Sequence, residues 1–316
     1  MTDGRDALEL GPILSIQGLS FGEAEYASSA GYLQDGVLFG PGRYLPRTVT
    51  IQFDVLADRA AEQGMTEETG TPEEICRSFL SRLARLAGKR DTPSYDDSSG
   101  QELRLEIQER DTLTGAVSQY YLSPCRVQGY PGDPQRQGRA IRTVTLQLTA
   151  GDPYIKKVVQ PQVLSIEEAC KIYRNDLLWY ADDQLILSQN RLEVTVLNSG
   201  DADTPMKIRF YGPAVQPYIL NLDTGEKIGV NQTLETGEYM DINTAYGKKS
   251  ITITTLDPES GQAVTHNAFH YIQAGCVFPM LHPGENRLRY GSGQEGSSLS
   301  AGVEIRYDER YLSLPY

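Results

Sequence analysis

The chain has no run of about 18 apolar residues, so nothing in it reads as a membrane-spanning helix. It also has no Cys-x-x-Cys. Its four cysteines, Cys76, Cys125, Cys170 and Cys276, stand far apart, which excludes a zinc ribbon or a dithiol redox pair and leaves reduced, packed thiols. Histidine is scarce, with three residues, and no Walker A sequence is present. Positive charge is in deficit: 29 Lys and Arg against 42 Asp and Glu leave a net charge of −13, a field that repels nucleic acid. Asp3, Asp6 and Glu9 occupy the stretch where a secretory signal needs a basic start and an apolar core, so no signal peptide is expected.

What is present is length, glycine and alternation. The 316 residues suit about two domains of roughly 150 residues each. Thirty glycines and 17 prolines favour short strands joined by tight turns over a helical bundle. A first strand is expected over Ile13–Leu19, followed by Gly- and Ser-rich turns. Val49, Ile51, Phe53 and Val55 then alternate with Thr48, Thr50, Gln52 and Asp54, which predicts a half-buried strand over Arg47–Leu56. Thr71-Pro72-Glu73-Glu74 is a capping box with proline at the first helical position. Ile75, Phe79, Leu83 and Leu86 follow at helical spacing and Gly88 supplies the stop, so one clear helix belongs here. Strands resume over Leu103–Ile107, Gln119–Leu122, Cys125–Gln128 and Arg142–Leu148, and Gly151-Asp152-Pro153 breaks the pattern.

This places an N-terminal β-rich domain over 1–160. Ser165-Ile166-Glu167-Glu168 is a second capping box, and Ile166, Ala169, Tyr173, Leu177 and Tyr180 continue an apolar face, predicting a partly helical connector over 161–190. From 191 to 316 the signals are β. Short strands are expected over Leu192–Val196, Met206–Phe210, Tyr218–Leu222, Tyr239–Ile242, Ser250–Thr254, Ala268–Gln273, Arg287–Tyr290 and Val303–Tyr307, an antiparallel β-sandwich.

Each motif that suggests chemistry lacks its structural context. Gly18-Leu19-Ser20-Phe21-Gly22 fits G-x-S-x-G, but a nucleophile elbow needs a helix after the serine within a parallel sheet, and no strand-helix-strand alternation is written here. Gly291-Ser292-Gly293-Gln294-Glu295-Gly296 fits G-x-G-x-x-G, yet a strand follows where a dinucleotide needs a helix N-terminus. His266 and His270 have the spacing of a zinc pair, without the adjacent Glu and amid β character; on a strand they would share one face, with His282 as a distant third. Asp96-Asp97, Asp182-Asp183 and Glu67-Glu68 read as solvated loop pairs, and Asn231-Gln232-Thr233 as a glycosylation pattern without meaning unless the chain is secreted. No catalytic, cofactor or metal residue is therefore assigned, and no enzyme activity is expected.

The order of several segments is informative. Asn198-Ser199-Gly200-Asp201 leads to Met206-Lys207-Ile208-Arg209-Phe210-Tyr211-Gly212. Asn221-Leu222-Asp223-Thr224-Gly225, Gly237-Glu238-Tyr239-Met240-Asp241-Ile242, Leu281-His282-Pro283-Gly284-Glu285-Asn286 and Val303-Glu304-Ile305-Arg306-Tyr307 with Arg310-Tyr311-Leu312 follow. In this order they resemble the C-terminal domain of distal tail proteins from long-tailed bacteriophages. Residues 1–155 resemble the family more loosely, and the connector over 161–190 departs from it.

The resemblance implies a structural virion protein at the distal end of the tail, made in the host cytoplasm. Its N-terminal β domain would form a homohexameric ring and its C-terminal domain a galectin-like sandwich outside it. Its partners would be the tail tube protein above and the baseplate hub and receptor-binding proteins below, with no membrane insertion and no specific nucleic-acid binding. Six copies would carry a formal charge of about −78, six times the −13 of one chain, suited to a lumen that lets DNA slide. A different class of function stays open, a carbohydrate-binding sandwich with Tyr239, Tyr246 or Tyr271 stacking on sugar rings for attachment to a host surface.

Overall fold

The computed structural model describes residues 8–30, 35–62, 71–88, 103–110, 115–129, 135–137, 140–158, 162–165, 193–256, 263–292 and 302–314. The chain forms two compact units, Met1–Lys157 with Tyr311–Tyr316, and Val158–Arg310.

In the first unit, β1 (Ile13–Gln17), β2 (Ala24–Ser29), β3 (Leu38–Tyr44) and β4 (Arg47–Leu56) lead into α1 (Ala57–Glu62) and α2 (Pro72–Gly88). β5 (Leu105–Arg110), β6 (Val117–Leu122), β7 (Cys125–Gly129), β8 (Gln135–Gln137), β9 (Ile141–Ala150) and β10 (Ile155–Val158) follow. One sheet runs β1-β4-β9-β7, with β8 also on β9; β10, β6 and β5 pair in that order; among the described residues β2 and β3 pair only with each other. β4 and β9 are antiparallel over ten residues each, from Arg47 opposite Ala150 to Leu56 opposite Ile141. The alternation that marks β4 in the sequence buries Val49, Ile51, Phe53 and Val55, and Val144, Leu146 and Leu148 face the same way from β9. Cys76, Phe79, Leu83 and Leu86 of α2, Leu105, Tyr120, Leu122 and Ile155 close this core. The capping box of α2 is made: the Thr71 amide and hydroxyl donate to Glu74 Oε2 at 2.9 Å, and the Glu74 amide donates back to Thr71 Oγ1 at 3.4 Å.

The second unit contains β11 (Gln162–Ser165), β12 (Glu193–Asn198), β13 (Thr204–Tyr211), β14 (Ala214–Val215), β15 (Tyr218–Asn221), β16 (Lys227–Gly229) and β17 (Thr233–Leu234). It continues with β18 (Tyr239–Asn243), β19 (Ser250–Leu256), β20 (Ala263–Asn267), a 3-10 turn (Phe269–Tyr271), β21 (Met280–Leu281), β22 (Gly284–Gly291) and β23 (Gly302–Tyr311). One sheet runs β20-β19-β18-β13-β23, with β11 on β23 and β21 on β13. The other runs β12-β22-β15-β16, and β14 pairs β17. Met206, Ile208, Phe210, Met240, Ile242, Ile251, Ile253, Val303 and Ile305 from the first meet Val196, Ile219, Ile228, Leu288 and Tyr290 from the second in one core, the anatomy of an antiparallel sandwich.

Three expectations change. The Gly- and Ser-rich stretch after β1 is not only turns, since β2 and β3 form a hairpin there. α1, short and continuous with β4, adds a helical segment that the sequence pattern did not announce. Ala268–Gln273 is not a strand: β20 ends at Asn267, whose Oδ1 accepts from the Phe269 amide at 2.8 Å and starts the 3-10 turn. Ser165 closes β11, and the rest of the expected connector helix lies outside the described residues.

Candidate assembly surfaces

The β2–β3 hairpin exposes apolar side chains that no other described strand covers. Leu38 is 70% and Phe39 75% exposed, and Val37, Tyr26 and Phe21 are also open. It is held by its own cross-strand pairs. Glu25 faces Arg43, whose guanidinium donates to Glu25 Oε2 at 2.8 and 3.0 Å, and the Tyr26 and Phe39 rings meet edge to face at 6.1 Å. A Cβ at Gly42 would lie 2.5 Å from the Tyr26 ring, so a larger residue there would have to displace that side chain. An isolated two-stranded hairpin is marginal in water, and exposed large apolar groups gathered on one element mark a surface for a partner. β1, paired among the described residues only with β4, exposes Ile13, Leu14 and Ile16 in the same unit. Sequence alternation could not find the hairpin, because neither of its faces is buried.

The outward face of the β18-β13-β23 sheet is polar and carries a network of ion pairs. Register sets Arg209 opposite both Asp241 and Glu304. Arg209 donates to both oxygens of Asp241, at 2.7 and 2.8 Å, and lies over the Tyr239 ring at 4.3 Å. Glu304, buried, accepts from Arg306 at 2.6 Å and from the Tyr211 hydroxyl at 2.9 Å. The Arg306 bond holds the Glu304 carboxyl below its ordinary pKa, while burial raises the Tyr211 phenol. Asp241 and Glu304 are thus each engaged by an arginine.

The residues singled out from sequence do not converge. Ser20 lies in the bend between β1 and β2, with its carbonyl accepting from Arg47 and no helix after it; the histidines belong to the other unit. His266 is exposed on β20, whereas His270 lies in the 3-10 turn with its ring 3.9 Å from that of Tyr271, so the two do not share a strand face. His282 Nδ1 sits 2.7 Å from Asp203 Oδ1. Among the described residues no three His, Cys, Asp or Glu side chains form a metal-holding group. Gly291 ends β22, and most of the glycine-rich loop lies outside the described residues, as do Asp96, Asp97, Asp182, Asp183, Glu67, Glu68 and Cys170. Cys76 and Cys125 are buried free thiols, and burial pushes Cys125 up to about 11. Of the three tyrosines weighed as sugar platforms, Tyr239 is covered by Arg209 and Tyr271 lies against His270; Tyr246, 93% exposed, presents an open ring.

The short sequence signatures of the C-terminal half are turn-building devices. Asn198 Oδ1 accepts from the Gly200 amide, while its Nδ2 donates to the Ala202 and Leu281 carbonyls. Asn221 Oδ1 accepts from the Asp223 and Thr224 amides, and Gly225 follows at φ +75°. Asn286 Oδ1 accepts from the His282 amide and its Nδ2 donates to the His282 and Gly284 carbonyls, with Gly284 at φ +97°. Buried asparagines that fix loops between strands are what makes these segments recognisable.

Residues 199–311 match the family described as siphovirus-type tail component, C-terminal domain. No curated protein matches the sequence. Among solved structures, the fold is similar to that of the phage SPP1 Dit protein, described as a paradigm of the hub adsorption apparatus in phages infecting Gram-positive bacteria; identity is 14%, coverage 95% of this chain and 93% of that one, and the TM-score 0.53. It is also similar to a chain of the phage P2 baseplate in its activated conformation with Ca, at 8% identity, 96% and 91% coverage and a TM-score of 0.50. Residues 199–311 are thus similar to the C-terminal domain of siphovirus-type tail components, within a fold similar over nearly all of the chain to that of the SPP1 Dit protein.

Proposed function

We propose that this chain is the distal tail protein of a long-tailed phage, a virion structural component that acts without catalysis by closing into a homohexameric ring. The ring would join the tail tube protein to the baseplate hub and receptor-binding proteins and leave a lumen for DNA, and the C-terminal sandwich is galectin-like by family resemblance. A structural role in the tail or baseplate follows from the family match. The observation that carries the ring is the exposed apolar hairpin in the same unit as the exposed β1 edge. These are two different surfaces of one chain, and a heterologous contact between them, repeated around an axis, closes into a ring. A strand edge carrying unpaired amides and carbonyls is a natural receptor for such a contact.

The test is the mass of the purified chain, alone and with its tail tube and hub partners. A particle of about 210 kDa, six times 35.0 kDa, is expected in at least the second case, because such assembly follows mass action with partners. A monomer under both conditions overturns the ring. The acidic lumen is tested separately by retention of DNA on the ring at low salt, where tight binding would end that part of the proposal.

A further inference from the structure

Arg47, the first residue of β4, is 4% exposed, and all of its hydrogen bonds go to main-chain carbonyls. Nε donates to Pro153 at 2.6 Å, Nη1 to Gly18 at 2.8 Å and Ser20 at 2.5 Å, and Nη2 to Leu312 at 2.7 Å. No carboxylate is among these partners, and burial lowers the guanidinium pKa from its ordinary value. A buried charge of this kind is tolerated only where hydrogen bonds replace the lost hydration. Arginine supplies five donors in a rigid planar fork, whereas lysine supplies three from one point. Losing any one carbonyl therefore leaves the buried cation underbonded, which favours keeping all four in place or releasing them together.

The four carbonyls come from segments far apart in the chain. Gly18 and Ser20 precede the β2–β3 hairpin and Arg47 follows it, so the guanidinium sits at both roots of the hairpin. Pro153 lies just before β10, along which the chain leaves the first unit after Lys157; Leu312 lies just beyond its return at Tyr311. Two further sets of contacts join the same segments within this unit. The Leu314 amide donates to the Leu19 carbonyl at 3.1 Å. Phe21, Tyr44 and Tyr154 form an edge-to-face chain with centroids 5.9 and 5.8 Å apart, linking each hairpin root to the segment beside Pro153.

We propose that Arg47 is a coupling clasp: its guanidinium ties the roots of the β2–β3 hairpin to the segments by which the chain leaves and re-enters the first unit, so that these segments loosen and tighten as one. A contact that immobilises the hairpin then also tightens the tail at Leu312–Leu314, and the converse holds by linkage. The inference is a property of the single chain and does not depend on the ring.

Hydrogen exchange on the full chain, read by mass spectrometry across low denaturant concentrations, tests it. In the wild type, peptides covering 18–23, 44–48, 151–156 and 311–314 should share one opening free energy and one denaturant slope, both smaller than those of the paired cores of β4 and β9. In Arg47→Lys all four should exchange at least about tenfold faster, a loss on the scale of one charge-assisted hydrogen bond, while β18 and β19 are unchanged. Acceleration confined to 18–23, or an Arg47→Lys protein indistinguishable from wild type, overturns the clasp. If that variant does not fold, the wild-type slopes decide. Separate slopes for the four segments refute the coupling, as does opening only together with β4 and β9, which would make Arg47 an ordinary core residue.

Discussion

Replacing Leu38 and Phe39 with serine separates the role of the hairpin in assembly from any role in folding. In the single chain these side chains are 70% and 75% exposed, and no residue of β2 or β3 belongs to the buried core, so the substitution removes almost no buried surface. Its effect on the stability of the monomer should stay within about 0.5 kcal/mol, a shift in Tm of no more than about 2 °C. On assembly the pair offers about 250 Å² of apolar surface, a gross gain of about 6 kcal/mol at about 25 cal/mol per Å². Association and ordering offset part of that gain. Truncating a central pair of this kind removes about 2–4 kcal/mol per contact, which raises the concentration at half-assembly about 30- to 1,000-fold. Mass photometry across a dilution series reads that midpoint, and thermal unfolding of the same samples reads the fold. An unchanged midpoint would refute the hairpin as an assembly surface. A large fall in Tm would instead show that the hairpin supports the first unit, contrary to its exposure.

Other consequences follow from particular contacts. Gly212→Ala should destabilise the C-terminal sandwich by at least about 1–3 kcal/mol in urea unfolding, because its Cβ would fall 1.9 Å from the Glu235 carbonyl oxygen, a main-chain atom with little room to move. The folded-state pKa of Glu304 is depressed below 4.5, so the stability it contributes is present at neutral pH and is lost as pH falls through that depressed value. Glu304→Gln should therefore flatten the decline of Tm between pH 5 and pH 3, and parallel curves would contradict the assignment. Among Cys76, Cys125 and Cys276, a soluble disulfide reagent should modify partly exposed Cys276 first and leave Cys125, buried and pushed up to about 11, intact until unfolding; early modification of Cys125 would contradict its burial.

Where a face is buried, the chain's pattern was readable. β4 runs over the same residues, Arg47–Leu56, that the alternation of Val49 to Val55 marks, and the Thr71–Glu74 box caps α2 as its spacing demands. β12, β13, β15, β18, β19, β22 and β23 were legible for the same reason, whereas β20 and the short β14, β16, β17 and β21 were not; the loops carried Asn-, Asp- and Gly-containing signatures because main-chain turns need those residues locally. The hairpin was not legible, since a ribbon exposed on both sides has no alternation to display. Nor was the 3-10 turn after β20, which a single Asn267 side chain initiates against a strand-like composition.

Sequence alone determined the β class and the helix α2, because periodicity and capping act over a few neighbouring residues, and the order of its turn segments carried the resemblance to tail proteins. Tertiary structure alone decided the rest. It placed Arg47 against the carbonyls of Gly18, Ser20, Pro153 and Leu312, up to 265 positions away along the chain. It returned Tyr311–Tyr316 to the first unit and left the β2–β3 hairpin uncovered. Such juxtapositions depend on how distant segments pack, and no local spacing records them.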